Sequence, residues 1–136
     1  MIEQRGAYGL GTTVALPYAE AIARTKAALK EQGFGVLSEI DVKATLKEKR
    51  DIEFRPYVIL GACNPDLAHR ALQTELDIGL LLPCNVVVYE VDGGSMVAAI
   101  DPERALDIVG TPELHAVAAE AKALLLRALE AVARPG

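Results

Sequence analysis

Tryptophan is absent from this 136-residue chain, and cysteine, methionine, histidine and asparagine occur only twice each. With four Tyr and two Phe besides, the sequence lacks the aromatic density on which nucleic-acid bases stack. The two cysteines are 21 positions apart and form no Cys-x-x-Cys pair, so neither a zinc ribbon nor a dithiol redox motif is supported. No stretch approaches the roughly 18 uninterrupted apolar residues of a membrane span. The central apolar run, Ile78 to Pro83, is far shorter. Met1 to Gly6 shows no basic head followed by an apolar centre, so no signal peptide is expected and a cytoplasmic protein is. A serine nucleophile elbow, a Walker loop, His-Glu-x-x-His and Gly-x-Gly-x-x-Gly are all missing. There is no Gly/Ser/Pro-rich linker either, which leaves residues 1–136 as one domain.

Net charge is −5 with a pI near 5.0, against the basic balance of nucleic-acid binders. The nearest cationic cluster is Lys43, Lys47, Lys49, Arg50 and Arg55, but Glu48, Asp51 and Glu53 interleave with it. It reads as a solvated mixed-charge surface.

Apolar residues make up 51% and mean hydropathy is positive. A chain of this length buries about two thirds of its unfolded surface, so a core needs no metal or disulfide. Abundant Ala, Leu, Glu and Arg with few Asn, Gln, Cys and Met is compatible with a thermophilic source.

Residues 8–16 read as a first strand, and Pro17 suits the opening turn of a helix over 18–32. Ala19, Ile22, Ala23 and Leu29 form the expected apolar face of that helix, and Gly33 its stop. A second strand runs from Phe34 to Ile40, and Asp41 caps a short polar helix at 42–50. A third strand covers 54–62, with Pro56 at its start. Asn64 as cap, Pro65 in the first turn and Asp66 open a helix over 65–76, with Leu67, Ala68, Ala71, Leu72 and Leu76 on one face. Residues 84–91 make an apolar strand, Asp92-Gly93-Gly94 a hairpin turn, and Ser95 to Ile100 the fifth strand. A short helical turn starts at Asp101-Pro102-Glu103. The last helix opens at Thr111-Pro112-Glu113, carries Leu114, Val117, Ala118, Ala121, Leu124, Leu125, Ala128, Leu129 and Val132 on one stripe, and ends at Arg134-Pro135-Gly136.

The expected order is β-α-β-α-β-α-β-β-α: a two-layer α+β domain whose mixed, five-stranded sheet packs against helices. Helical crossovers predict parallel neighbours, and the hairpin one antiparallel pair.

Both asparagines directly follow the two cysteines, as Cys63-Asn64-Pro65 and Pro83-Cys84-Asn85. Two readings of Cys63 stand. A helix N-terminus lowers a thiol's pKa and makes it nucleophilic; alternatively Cys63 is a small buried apolar residue beside the cap Asn64. In a parallel β-α-β unit, Cys63 and Cys84 lie about 20 Å apart, beyond the roughly 7 Å between Cα atoms that a disulfide spans. Only antiparallel strands or a long excursion through 77–83 bring them together. His69 and His115 read as surface or packing residues. Gly9-Leu10-Gly11-Thr12-Thr13 resembles half a phosphate loop but falls within a predicted strand. No acidic pair has an acid–base spacing, and no catalytic residue is assigned.

The segments Gly33-Phe34-Gly35-Val36-Leu37, Tyr57 to Pro65 and Leu82-Pro83-Cys84-Asn85-Val86, with Thr111-Pro112-Glu113-Leu114, resemble the family catalogued as domain of unknown function 302, in order and over nearly the whole chain. The resemblance implies a compact α+β domain acting as a homodimer, assigns no activity, and draws attention to Cys63, Asn64, Cys84 and Asn85. Three functional expectations follow. The first is a non-enzymatic domain holding a small molecule or metal near those four residues. The second is a self-associating interaction module. The third is a thiol-dependent enzyme or redox sensor using Cys63.

Overall fold

The computed structural model describes residues 2–134. Six strands form one sheet: β1 (Glu3–Arg5), β2 (Gly9–Val14), β3 (Gly35–Asp41), β4 (Tyr57–Cys63), β5 (Cys84–Val91) and β6 (Gly94–Ile100). Five helices connect and cover them: α1 (Tyr18–Glu31), α2 (Val42–Arg50), α3 (Pro65–Thr74), α4 (Pro102–Leu106) and α5 (Pro112–Ala133). Short 3-10 segments span Leu76–Leu81 and Asp107–Val109. The α+β, helix-on-sheet expectation holds. The five-stranded mixed sheet does not: the order is β1-β2-β6-β5-β4-β3, and every neighbouring pair is antiparallel.

The length of each connection explains the correction. The 14-residue α1 runs back about 21 Å along the sheet and has only a tight turn before β3. The chain therefore does start β3 parallel to β2, but at the opposite edge of the sheet, with three strands between them. The other two crossovers carry a return leg. After α2 comes the stretch 51–56, neither helix nor strand, and after α3 the 3-10 segment and residues 82–83. An outward helix followed by a return leg cancels the displacement, so β4 and β5 each begin where the preceding strand ended, antiparallel to it.

Local chemistry sets the boundaries. Gly33 has φ +85°. Its N–H donates to the Lys30 carbonyl at 3.0 Å, and that of Phe34 donates to Leu29 at 2.9 Å, the double bond of a Schellman stop. Asp41 Oδ1 accepts from the Ala44 N–H at 2.9 Å, capping α2 as expected. Asp92-Gly93 is a two-residue hairpin turn between paired Val91 and Gly94, with φ +82° at Gly93. Thr111 precedes α5 but gives no side-chain cap bond. The third strand starts at Tyr57 rather than 54, just beyond Pro56. α3 stops at Thr74, leaving Leu76 81% exposed on the 3-10 segment rather than on a helix face. Pro135 and Gly136, in the expected end of the last helix, lie outside the described residues.

One sheet face is covered. Val58, Leu60, Ala62, Val86, Val88, Val97 and Ala99 pack against α1 and α5. The α5 stripe is buried as expected, with Leu124 half-buried between this cluster and a second one under α3 and α4. The expected α1 face holds for Leu29 and for Ile22, which is half-buried against the core, and fails at its two alanines. Ala19 and Ala23 are exposed, and the sheet meets Ala21, Thr25, Ala28 and Leu29 instead. Thr25 can turn inward because its hydroxyl donates to the Ala21 carbonyl at 2.7 Å, which removes the cost of burying it. The helical spacing missed Ala21, Thr25 and Ala28 because small and polar residues weigh little in an apolar stripe.

Candidate functional site

The antiparallel β4–β5 pair brings the two Cys-Asn blocks to one end of the sheet. Ala62 lies directly opposite Cys84, so Cys63 is one residue past that pair, not a strand length away. Both cysteines are free and half-buried. Asn64 sits at the N-terminus of α3 with Oδ1 accepting from the Leu67 N–H at 3.3 Å. Its Nδ2 lies over Gly33, where a methyl group would come within 3.1 Å of it. The structure thus unites Cys63, Asn64 and Cys84. It separates Asn85, which faces the other side of the sheet opposite Gly61 and is exposed.

Cys63, Asn64 and Cys84 line a cavity of about 40 Å³ between the sheet end and the helices. Phe34, Leu67, Leu82, Leu106 and Val117 supply much of the remaining wall. It has room for one or a few small atoms, not for a metabolite, whose pockets run to roughly 300 Å³ and more. Burial in this apolar wall pushes the Cys84 thiol up to about 11, and the neighbouring Cys63 adds to the rise. Cys84 is therefore a neutral thiol at physiological pH. No wall residue carries a carboxylate, imidazole or amine that could take its proton. Among the described residues no three His, Cys, Asp or Glu side chains gather as a metal site.

The other expected features are surface chemistry. His69 is exposed, and exposed His115 lies 3.9 Å from Asp107. Lys47 bridges Asp51 and Glu53, each at 2.7 Å, and Lys43 donates to the Phe54 carbonyl at 2.9 Å. Within the cationic cluster, Lys47 alone pairs with carboxylates among the described residues.

The open sheet face holds a second concavity, of about 440 Å³, that composition did not announce. Three of the four tyrosines, Tyr8, Tyr57 and Tyr89, line it with Arg5, Asn85 and Val87. Tyr57 and Tyr89 are cross-strand partners whose rings stack at 5.1 Å and 4°. Burial is the main cause holding the Tyr57 phenol above its ordinary pKa, and Tyr89 and Tyr8 add to it. The signal for this pair was the period-two alternation of β4 and β5, which puts Tyr57, Ile59, Val87 and Tyr89 on one face once the register is known.

A sequence match to the family described as "Domain of unknown function DUF302" covers residues 10–132. Among solved structures, the crystal structure of uncharacterized conserved protein DUF302 from Bacillus stearothermophilus is similar at a TM-score of 0.86. It is 33% identical in sequence, over 95% of this chain and 100% of that one. No curated protein matches. No helix among the described residues is long and apolar enough to cross a membrane.

Proposed function

This chain belongs to the DUF302 family, and from that premise we propose that it is a non-enzymatic binding domain holding a soft, thiophilic monovalent cation between Cys63 and Cys84. The observation that carries the reading is the convergence of the only two thiols of the sequence on one small apolar cavity. The cavity is too small for an organic ligand. Two sulfur ligands without a third protein donor suit two-coordinate Cu(I), which soft ligands select, rather than Zn(II), which takes four. Binding replaces the proton of each thiol: two S–H bonds and one Cu(I) become two S–Cu bonds and two released protons, with no change of oxidation state. Asn64 would then fix the start of α3 beside the site, and Asn85 has no part in it. A thiol enzyme or redox sensor using Cys63 is the weaker reading, because no residue lining the cavity carries a base that could take that thiol's proton.

The test is titration of the reduced protein with Cu(I) against a chromogenic chelator. One Cu(I) per chain, lost in both Cys63→Ala and Cys84→Ala, is expected. Equal binding by either single variant would show that the cation is held elsewhere.

Self-association as a homodimer is supported by a separate observation. Leu76 and Leu80, on the 3-10 segment after α3, and Ile108, on the turn after α4, are 81%, 88% and 80% exposed. Both segments pack on the second core cluster, and side chains of this size left in water favour a partner surface. Sedimentation at micromolar concentration should give a dimer that Leu80→Glu dissociates; a wild-type monomer would refute this.

A further inference from the structure

The open sheet face carries a built path for one side chain. Arg5 belongs to the edge strand β1, yet its Nη2 comes within 3.5 Å of Tyr89 Oη on β5, two strands further in than β2. The side chain can reach because the strands it crosses are shaved down. A methyl group at Gly9 would meet Arg5 Cβ at 3.3 Å, and one at Gly11 would meet Arg5 Cγ at 3.1 Å. Beyond them lies Ala98, the partner of Gly11 on β6. Two glycines and an alanine thus form a trough, with a guanidinium laid along it and tyrosines at its far end.

The charge at that end is unbalanced. Among the described residues neither Arg5 nor Arg55 pairs with a carboxylate. Arg55 stands 6.0 Å from the Tyr89 ring centroid and donates to the Glu90 carbonyl at 3.2 Å. Tyr8, at the trough's entrance, is 70% exposed, with its ring over Gly6. The concavity of about 440 Å³ falls within the range of small-molecule sites. Its polar side chains are a guanidinium, phenol hydroxyls and the Gln4 and Asn85 amides. All of these can donate hydrogen bonds, and none carries a negative charge at neutral pH.

We propose that this concavity is a binding site for a small planar aromatic carboxylate, the ring lying against Tyr8 and Tyr57 and the carboxylate meeting the Arg5 guanidinium and the Tyr89 hydroxyl. A flat ring matches the tyrosine faces and the shallow glycine floor. A carboxylate supplies the acceptor that the unpaired guanidinium lacks, in a charge-assisted bond. This site is separate from the thiol cavity, which opens on the other side of the sheet, and neither depends on the other.

The test is calorimetric titration of the wild-type protein with benzoate, with benzamide as its neutral isostere and acetate as its ringless analogue. Benzoate should bind saturably, one per chain, and at least about tenfold more tightly than benzamide, the factor expected for a hydrogen bond to a charged group. Acetate should give no saturable heat. Arg5→Gln should bring benzoate down to the benzamide level while leaving benzamide unchanged, so a folding defect cannot imitate the result. Tyr57→Leu should weaken both aromatic probes. Equal affinity for benzoate and benzamide, an unchanged benzoate affinity in Arg5→Gln, or no saturable benzoate binding each overturns the proposal. So would a wild-type dimer that seals this face and excludes benzoate.

Discussion

Raising the pH should destabilise this protein through Cys84 in particular. In the folded chain the thiol is held from 9.0 up to about 11, while the unfolded thiol keeps its ordinary value. The folded pKa is the higher one, so the native state binds the proton more tightly. That contribution is complete below about pH 9 and is lost as pH rises toward 11. With those two values, about 1 kcal/mol has gone by pH 10 and about 2 kcal/mol by pH 11. The measurement is urea unfolding of the wild type and Cys84→Ala at intervals from pH 7 to pH 10, under reducing conditions. Tyr18 and Tyr57 are also raised by burial, and their alkaline contributions appear in both proteins and cancel in the difference. The stability gap between the two should shift by about 1 kcal/mol across the range, in favour of the alanine variant as pH rises. Parallel pH profiles would mean that the Cys84 thiol is solvated as freely in the native state as in the unfolded one, and the dry cavity wall would be wrong.

Three further outcomes are expected. Asn64→Ala removes the bond to the Leu67 N–H and should cost about 1 kcal/mol in urea unfolding, with Asn64→Asp recovering most of it. Gly94→Ala places a methyl group into the carbonyl of Val14, which is backbone and cannot turn aside; a loss of about 3 kcal/mol or expression only as insoluble protein is expected, and a wild-type melting temperature would contradict this. Leu125→Ala, at a fully buried position on α5, should cost about 2–5 kcal/mol, measurable by thermal or urea unfolding.

Local signals were legible because their causes are local. Asp41 and Asn64 bond to N–H groups three residues away. Gly33 and Gly93 adopt the positive φ that sequence position suggested. Topology was not legible. The reflex that a helix between strands makes parallel neighbours weighs only the helix, whereas residues 51–56 and 75–83 add return legs that reverse the outcome. β1 was missed because Glu3-Gln4-Arg5 is short, polar and exposed; it is a strand only through pairing with β2 and the long reach of Arg5. The thiol cluster was foreseen as a motif and misplaced as geometry, since the distance between Cys63 and Cys84 depends entirely on strand direction. Asn85 was grouped with it by adjacency in sequence, but one residue along a strand is the other face of a sheet. The tyrosine site went unnoticed because composition counts residues without locating them.

The strand order has a consequence for how the chain folds. From β3 to β6 every strand pairs with its predecessor in sequence, so residues 35–100 can assemble stepwise by short loop closures. β2 instead joins β6 through pairs such as Gly9 with Ile100 and Val14 with Ser95, which close loops of more than 80 residues. Loop entropy delays such pairings. The N-terminal ribbon, with Arg5 and the trough it occupies, should therefore dock last, onto a β6 edge already formed. Pulse-labelled hydrogen exchange during refolding would then protect the amides of β4 and β5 before those of β2; simultaneous protection would mean that the whole sheet forms in one step.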